Sequence, residues 1–290
     1  MPRNGIFEGL LGFVIRQDRT AMKVTMDTCA FGALVLKDWQ GYSAKRLLDI
    51  GTGTGILALM AHQVAPHMKI DALESHEQSA SQAGENVTGS TIRVLHGRVQ
   101  EFAVPQNKGI FDAIITNPPF FSSMKRKGGP EKHADISLPT EELLHAVDVL
   151  LTPDGRFFVL ADARQKQNRI QLQNLARPLG FHTVRRTFFA DNPKSKPHVC
   201  AIEFQRLDTH LPIFEENICY FREPPQPTIP GLNHRIPTRR FYELMRGFYK
   251  ENTLQSPNFS SSPSQEESLH HEKEEVHVHQ EDGKKNIQMQ

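Results

Sequence analysis

Cysteine is scarce in this 290-residue chain. Cys29, Cys200 and Cys219 are odd in number and far apart. That pattern excludes a disulfide scaffold and predicts a reducing, cytoplasmic compartment. Long apolar runs are also missing. None approaches the ~20 residues that span a bilayer, so no membrane association is expected. Gly5 to Ile15 is apolar enough to imitate a secretory leader, but Glu8 interrupts it, Arg16 closes it and no small-residue cleavage site follows, so no leader is expected. Neither sign of charge dominates: 34 Lys/Arg stand against 33 Asp/Glu, a net of +1. With 38% hydrophobic and 23% charged residues, the composition is globular and excludes collagen-like and wholly disordered chains.

The balance of charge hides an asymmetry. Residues 251–290 hold 8 acidic and 3 basic residues, which leaves 25 acidic and 31 basic in residues 1–250. The first 250 residues are therefore moderately basic, which permits an anionic partner. Residues 251–290 lack aromatics after Phe259 and show no apolar periodicity, so a disordered tail is expected. Its His270, His271, His277 and His279 read as incidental, and no metal is expected. No stable protein partner is inferred.

Between Arg46 and Gln205, short apolar runs alternate with helical patterns. Strands are expected at 46–50, 69–73, 92–95, 111–116, 156–160, 183–189 and 199–205. Helices are expected at 56–64, 76–87, 140–151 and 167–177, with a turn at Pro153–Gly155. Such alternation implies a doubly wound, mostly parallel α/β sheet with helices on both faces, a Rossmann-like fold. An N-terminal extension, residues 1–45, precedes the first strand and carries a helix over 27–39. A main domain then occupies 46–250. The stretch 207–237 carries Pro212, Pro224, Pro225, Pro227, Pro230 and Pro237 and reads as an irregular connection. A last helix is expected at 237–250, with Phe241, Leu244, Met245 and Phe248 on one face.

Two motifs carry chemistry. The first is Asp49-Ile50-Gly51-Thr52-Gly53-Thr54-Gly55, between strand and helix. Its glycines let the backbone turn tightly and approach a ligand. The spacing departs from the nicotinamide fingerprint, since position 56 is Ile, and Asp49 suits a cationic or amino-bearing ligand. Glu74, closing the second strand, is placed to take both hydroxyls of a ribose. Loop and acid together describe a site for S-adenosylmethionine.

The second motif is Thr116-Asn117-Pro118-Pro119-Phe120-Phe121, directly after the fourth strand. Two prolines remove two N–H donors and leave carbonyls on display. If the Asn117 side chain and the Pro118 carbonyl accept both hydrogens of a planar amine, its nitrogen is drawn toward tetrahedral geometry and becomes nucleophilic. Phe120 is placed to stack on the ring bearing that amine. Asn117, Pro118 and Phe120 are the expected catalytic set.

These residues, with Asp112, resemble an amino-N-methyltransferase of the Rossmann class. More narrowly, residues 13–250 resemble the bacterial tRNA(Val) adenine-N6 methyltransferase family. The likeness rests on Gln17 through Val24 with Asp27, on Lys132-His133, and on Phe241-Tyr242-Glu243-Leu244 with Phe248-Tyr249. It implies S-adenosylmethionine as cofactor and tRNA as partner, with the adenine 3′ of the anticodon as target. It also adds Lys23, Arg98 and Asn117 to Asp49, Gly51, Gly53, Gly55 and Glu74 as cofactor residues. Lys125, Arg126 and Lys132 beside the motif, and Arg239 and Arg240 near the end of the main domain, read from their charge as phosphate contacts, with Phe121 and His133 as further substrate contacts. Three departures stand out: Thr25-Met26-Asp27 where the family has Gly-Thr-Asp, Arg98 where the class has Asp, and His198 where the family tends to have Arg. The motifs alone leave protein glutamine-N5, rRNA guanine-N2 and DNA adenine-N6 methylation open, as well as an inactive binding module.

Overall fold

In the computed structural model, residues 5–8, 12–20, 22–37, 39, 45–118, 138–206, 212–223 and 235–248 are described. All belong to one compact unit, Met1–Pro257. A two-stranded antiparallel ribbon, β1 (Ile6–Phe7) with β2 (Ile15–Arg16), opens the chain. There follow α1 (Met26–Leu36), β3 (Arg46–Ile50), α2 (Ile56–Val64), β4 (Lys69–Glu74), α3 (Glu77–Asn86), β5 (Arg93–His96) and the short α4 (Val99–Phe102). The second half contributes β6 (Phe111–Thr116), α5 (Thr140–Leu150), β7 (Leu151–Asp162), α6 (Lys166–Ala176), β8 (His182–Ala190), β9 (Val199–Gln205), β10 (Phe214–Cys219) and α7 (Arg239–Met245).

Strands β3 to β10 form one sheet in the order β10-β8-β9-β7-β6-β3-β4-β5. Only β9 runs antiparallel to its neighbours. Every other pairing is parallel, as the alternating pattern predicts. The central strands β3 and β6 are buried along almost their whole length, which is why apolar residues dominate both. One face of the sheet packs on α1, α2 and α7, the other on α5 and α6.

Helix α1 is apolar nearly all round, and residues Thr28 to Leu36 are buried. It can approach α2 closely because residue 32 is glycine: a Cβ there would stand 2.8 Å from Met60 Sδ. Trp39 and Cys29 are buried in the core.

Three expectations are corrected. Pro153–Gly155 does not separate helix from strand, because β7 already starts at Leu151. Phe111 pairs with Leu151 but Ala113 with Arg156, so residues 152–155 bulge out of the pairing. Likewise, the proline-bearing connection contains a strand, β10, parallel to β8. Of its six residues only Ile218 is buried, so it shows no apolar alternation to read. The last helix is shorter than 237–250. Pro237 instead bridges Phe221, and the Thr238 hydroxyl caps the first turn. The tail after 250 lies outside the described residues.

Candidate active site

Parallel strands deliver their C-terminal ends to one edge, where α/β sheets bind ligands. Here β3 ends beside both β4 and β6: Ile50 pairs with Leu73 on one side and Thr116 on the other. The register therefore sets the glycine loop between Glu74 and Asn117. Leu73 O accepts the Gly51 and Thr52 amides at 2.8 and 3.1 Å, and the Thr116 hydroxyl donates to Ile50 O at 2.9 Å.

Gly51, Gly53 and Gly55 all take positive φ, at 69°, 58° and 83°. At Gly53 a Cβ would meet nothing nearer than Gly51 O at 4.0 Å, so the loop leaves open space on its outer side. At Gly55 it would crowd Val87 Cγ1 at 3.3 Å. Glu74, 8% exposed, accepts the Gly53 amide on Oε2 and the His76 amide on Oε1, each at 2.9 Å. Each oxygen keeps a lone pair for a further donor.

Asp49 is fully buried. Its Oδ2 accepts the Thr52 hydroxyl at 2.6 Å, while Oδ1 has no partner. Burial pushes its pKa up to about 7. The Glu74 charge adds to the rise, and the Thr52 hydroxyl and Ala58 amide offset it in part. Ionised, a buried carboxylate with an unpartnered oxygen is stabilised by a nearby cation.

Asn117 completes the set. Its Nδ2 donates to the Thr28 hydroxyl at 2.9 Å, and its buried Oδ1 has no partner. The amide thus presents an acceptor beside the glycine loop. Pro118 is buried. Phe120, Phe121, Lys125, Arg126, Lys132 and His133 lie outside the described residues.

The remaining expected residues are placed as follows. Arg98 is exposed at the start of α4, two residues past β5, on the same sheet edge. The Lys23 ammonium donates to the carbonyls of Gln17 and Thr20, and among the described residues no hydrogen bond joins it to the glycine loop. Arg239 pairs with Glu243 at 3.0 Å and Arg240 with Glu216 at 2.7 Å. Asp112 sits at the far end of β6, where Oδ2 accepts the Lys45 and Arg46 amides.

Sequence reasoning missed Thr25, Thr28 and Asn86. Asn86 Nδ2 donates to both Arg16 O and Thr54 O, at 2.8 and 2.9 Å, stitching the N-terminal segment to the glycine loop. Also missed was the use of Asp27. Its Oδ1 accepts Tyr220 Oη at 2.7 Å and lies 2.9 Å from His198 Nε2. Burial raises its pKa, but these two partners outweigh burial and hold it below the usual carboxylate range.

Residues 22–187 match the family model described as the methyltransferase small domain. The chain belongs to that family. Among its relatives is a protein of Dyadobacter fermentans named tRNA1(Val) (adenine(37)-N6)-methyltransferase. It is 35% identical over 86% of this chain and 99% of the relative. A protein of the same name from Cytophaga hutchinsonii is 36% identical over 82% and 94%. Among solved structures, a predicted O-methyltransferase from Agrobacterium tumefaciens superposes with a TM-score of 0.55 at 14% identity. It covers 77% of this chain and 96% of its own, and the likeness speaks for the methyltransferase fold alone. Among the described residues no helix is long and apolar enough to cross a membrane.

Proposed function

We propose that this family member transfers a methyl group from S-adenosylmethionine to N6 of adenine 37 in tRNA1(Val), in the cytoplasm. The observation that carries the chemistry is the buried, unpartnered Asn117 Oδ1 beside an open glycine loop. The substrate comes from the relatives' name.

The residues fit the cofactor. Asp49 offers a vacant carboxylate oxygen to a cationic ligand, Gly53 leaves room for it, and Glu74 keeps lone pairs for ribose hydroxyls. Gly51, Gly55 and Asn117 complete that lining, with Arg98 on the same edge. When bound, S-adenosylmethionine supplies an electrophilic methyl on a sulfonium. Asn117 Oδ1 accepts one hydrogen of the adenine amine and draws its lone pair out of conjugation, and the Pro118 carbonyl takes the other. No residue has to act as a strong base, because the alkylated amine is itself acidic. Phe120 and Phe121 hold the extruded base. Lys125, Arg126, Lys132 and His133 contact tRNA, as do Arg239 and Arg240 after exchanging their acidic partners for phosphates. Residues 1–45 belong to the catalytic unit as its N-terminal extension, and 251–290 form a tail.

Purified protein, the methyl donor and unmodified tRNA1(Val), followed by nucleoside mass spectrometry, test this reading. N6-methyladenosine at position 37 is expected. Methylation of guanine or of protein glutamine instead, or none at all, refutes it.

A further inference from the structure

We propose that Thr28 is the positioning residue that fixes which atom of Asn117 faces the substrate; the inference rests on the amine-methylating role given to Asn117 above. A primary amide has one acceptor end and one donor end. Only the acceptor end draws an amine toward tetrahedral geometry; the donor end would face the amine N–H groups and repel them. Nothing within residues 116–118 distinguishes the two orientations, so the choice must come from elsewhere in the fold.

It comes from the first turn of α1, 89 residues away in sequence. Thr28 Oγ1 accepts from Asn117 Nδ2 at 2.9 Å, and stands 3.0 Å from Thr25 Oγ1. Thr25 is the N-cap, whose oxygen also accepts the Thr28 amide at 3.2 Å. Either hydroxyl of the Thr25–Thr28 pair can be the donor; with the Thr28 proton given to Thr25, Thr28 is left as an acceptor and a chain runs from Asn117 through Thr28 to Thr25. Thr28 is only 5% exposed, so water does not compete for the contact. With Nδ2 so engaged, Oδ1 is left buried and unpartnered. The turn itself is held by the residue between them in the helix, Asp27, through Tyr220 and His198.

The test combines a structural and a kinetic readout. In uniformly 15N-labelled wild-type protein, the Asn117 side-chain N–H resonances are protected from solvent exchange. In Thr28→Val, which keeps the shape but removes the acceptor, protection is lost. In single-turnover methylation of tRNA1(Val) at saturating donor, Thr28→Val lowers the rate about 3- to 10-fold, the worth of one neutral hydrogen bond. The apparent affinities for donor and tRNA stay unchanged, and Thr28→Ser restores the rate. Asn117→Asp supplies the control. A carboxylate accepts at either oxygen, so adding Thr28→Val to it changes the rate less than about twofold. An unprotected Asn117 amide in wild type, or an equal Thr28→Val effect in both backgrounds, overturns the proposal. Should Thr28→Val not fold, the exchange measurement on wild type and Thr28→Ser decides alone. Wild-type protein that methylates no adenine refutes the function instead, and the exchange measurement still tests the orientation.

Discussion

If Asp49 seats the cation of the cofactor as proposed, cofactor binding is a proton-linked event. The Asp49 carboxyl is fully buried, and burial pushes its pKa up to about 7, which predicts that about half of it is protonated in the ligand-free protein at neutral pH. A cationic ligand on the vacant Oδ1 requires the ionised form. If only that form binds, the apparent Kd follows the fraction ionised. It is near its floor at about pH 8 and about tenfold higher at about pH 6. At pH 7, binding releases roughly half a proton from this group. Calorimetry in two buffers of different ionisation enthalpy reads that release directly, and titrations across the interval read the slope. The ligand's own ammonium also titrates, so Asp49→Asn is the reference: it keeps the ligand's proton chemistry and removes the protein's. The wild-type profile should be steeper than the variant's between pH 6 and 8. Parallel profiles, or the same proton release from both proteins, would refute a cation-binding Asp49.

Other consequences are open to measurement. Because the folded pKa of Asp49 lies above its usual 3.8, the folded state binds the extra proton, and stability falls as pH rises from about 4 to 7. That loss is on the order of 4 kcal/mol; Asp49→Asn should therefore raise the melting temperature at pH 8 but not at pH 4, by calorimetry without ligand. Asn117→Ala should lower the single-turnover rate by about 10²–10³ while donor affinity holds, and a near wild-type rate would sink the amine-activation scheme. Gly53→Ala places a Cβ in the open space at φ 58°, so weakened donor binding is expected, with a backbone cost of roughly 1–2 kcal/mol by denaturant titration. Reversing Arg239 and Arg240 to Glu should weaken tRNA binding and flatten its salt dependence, measured by filter binding, without touching donor affinity.

The sheet was legible because its central strands are buried on both faces and are dominated by apolar residues, Leu47, Leu48 and Ile50 in one and Phe111, Ala113, Ile114 and Ile115 in the other. The glycine loop was legible for a related reason: a backbone that takes positive φ three times in five residues leaves few residue types to choose from. Strand β10 was not, since an edge strand with one buried residue has no period to detect. Nor was Thr28. A threonine in the first turn of an apolar helix looks like ordinary capping, and only the tertiary fold brings it to Asn117. Asn86 escaped in the same way, being a polar residue on a polar helix until the fold places its amide between Arg16 and Thr54.

The packing of α1 also sets a timetable for synthesis. Leaving the ribosome early, this apolar helix finds its full surroundings only when the chain is nearly complete. It packs against α7, and Asp27 waits for Tyr220, 193 residues later. The glycine loop, Glu74, Asn117, Pro118 and Phe120 have all been synthesised by position 120, yet the turn that holds the Asn117 amide gains its partners only with His198, Tyr220 and α7. A nascent chain can therefore own all its proposed reacting groups and remain inert. During that interval the apolar stretch from Cys29 to Leu36 lacks the α7 surface that later covers it.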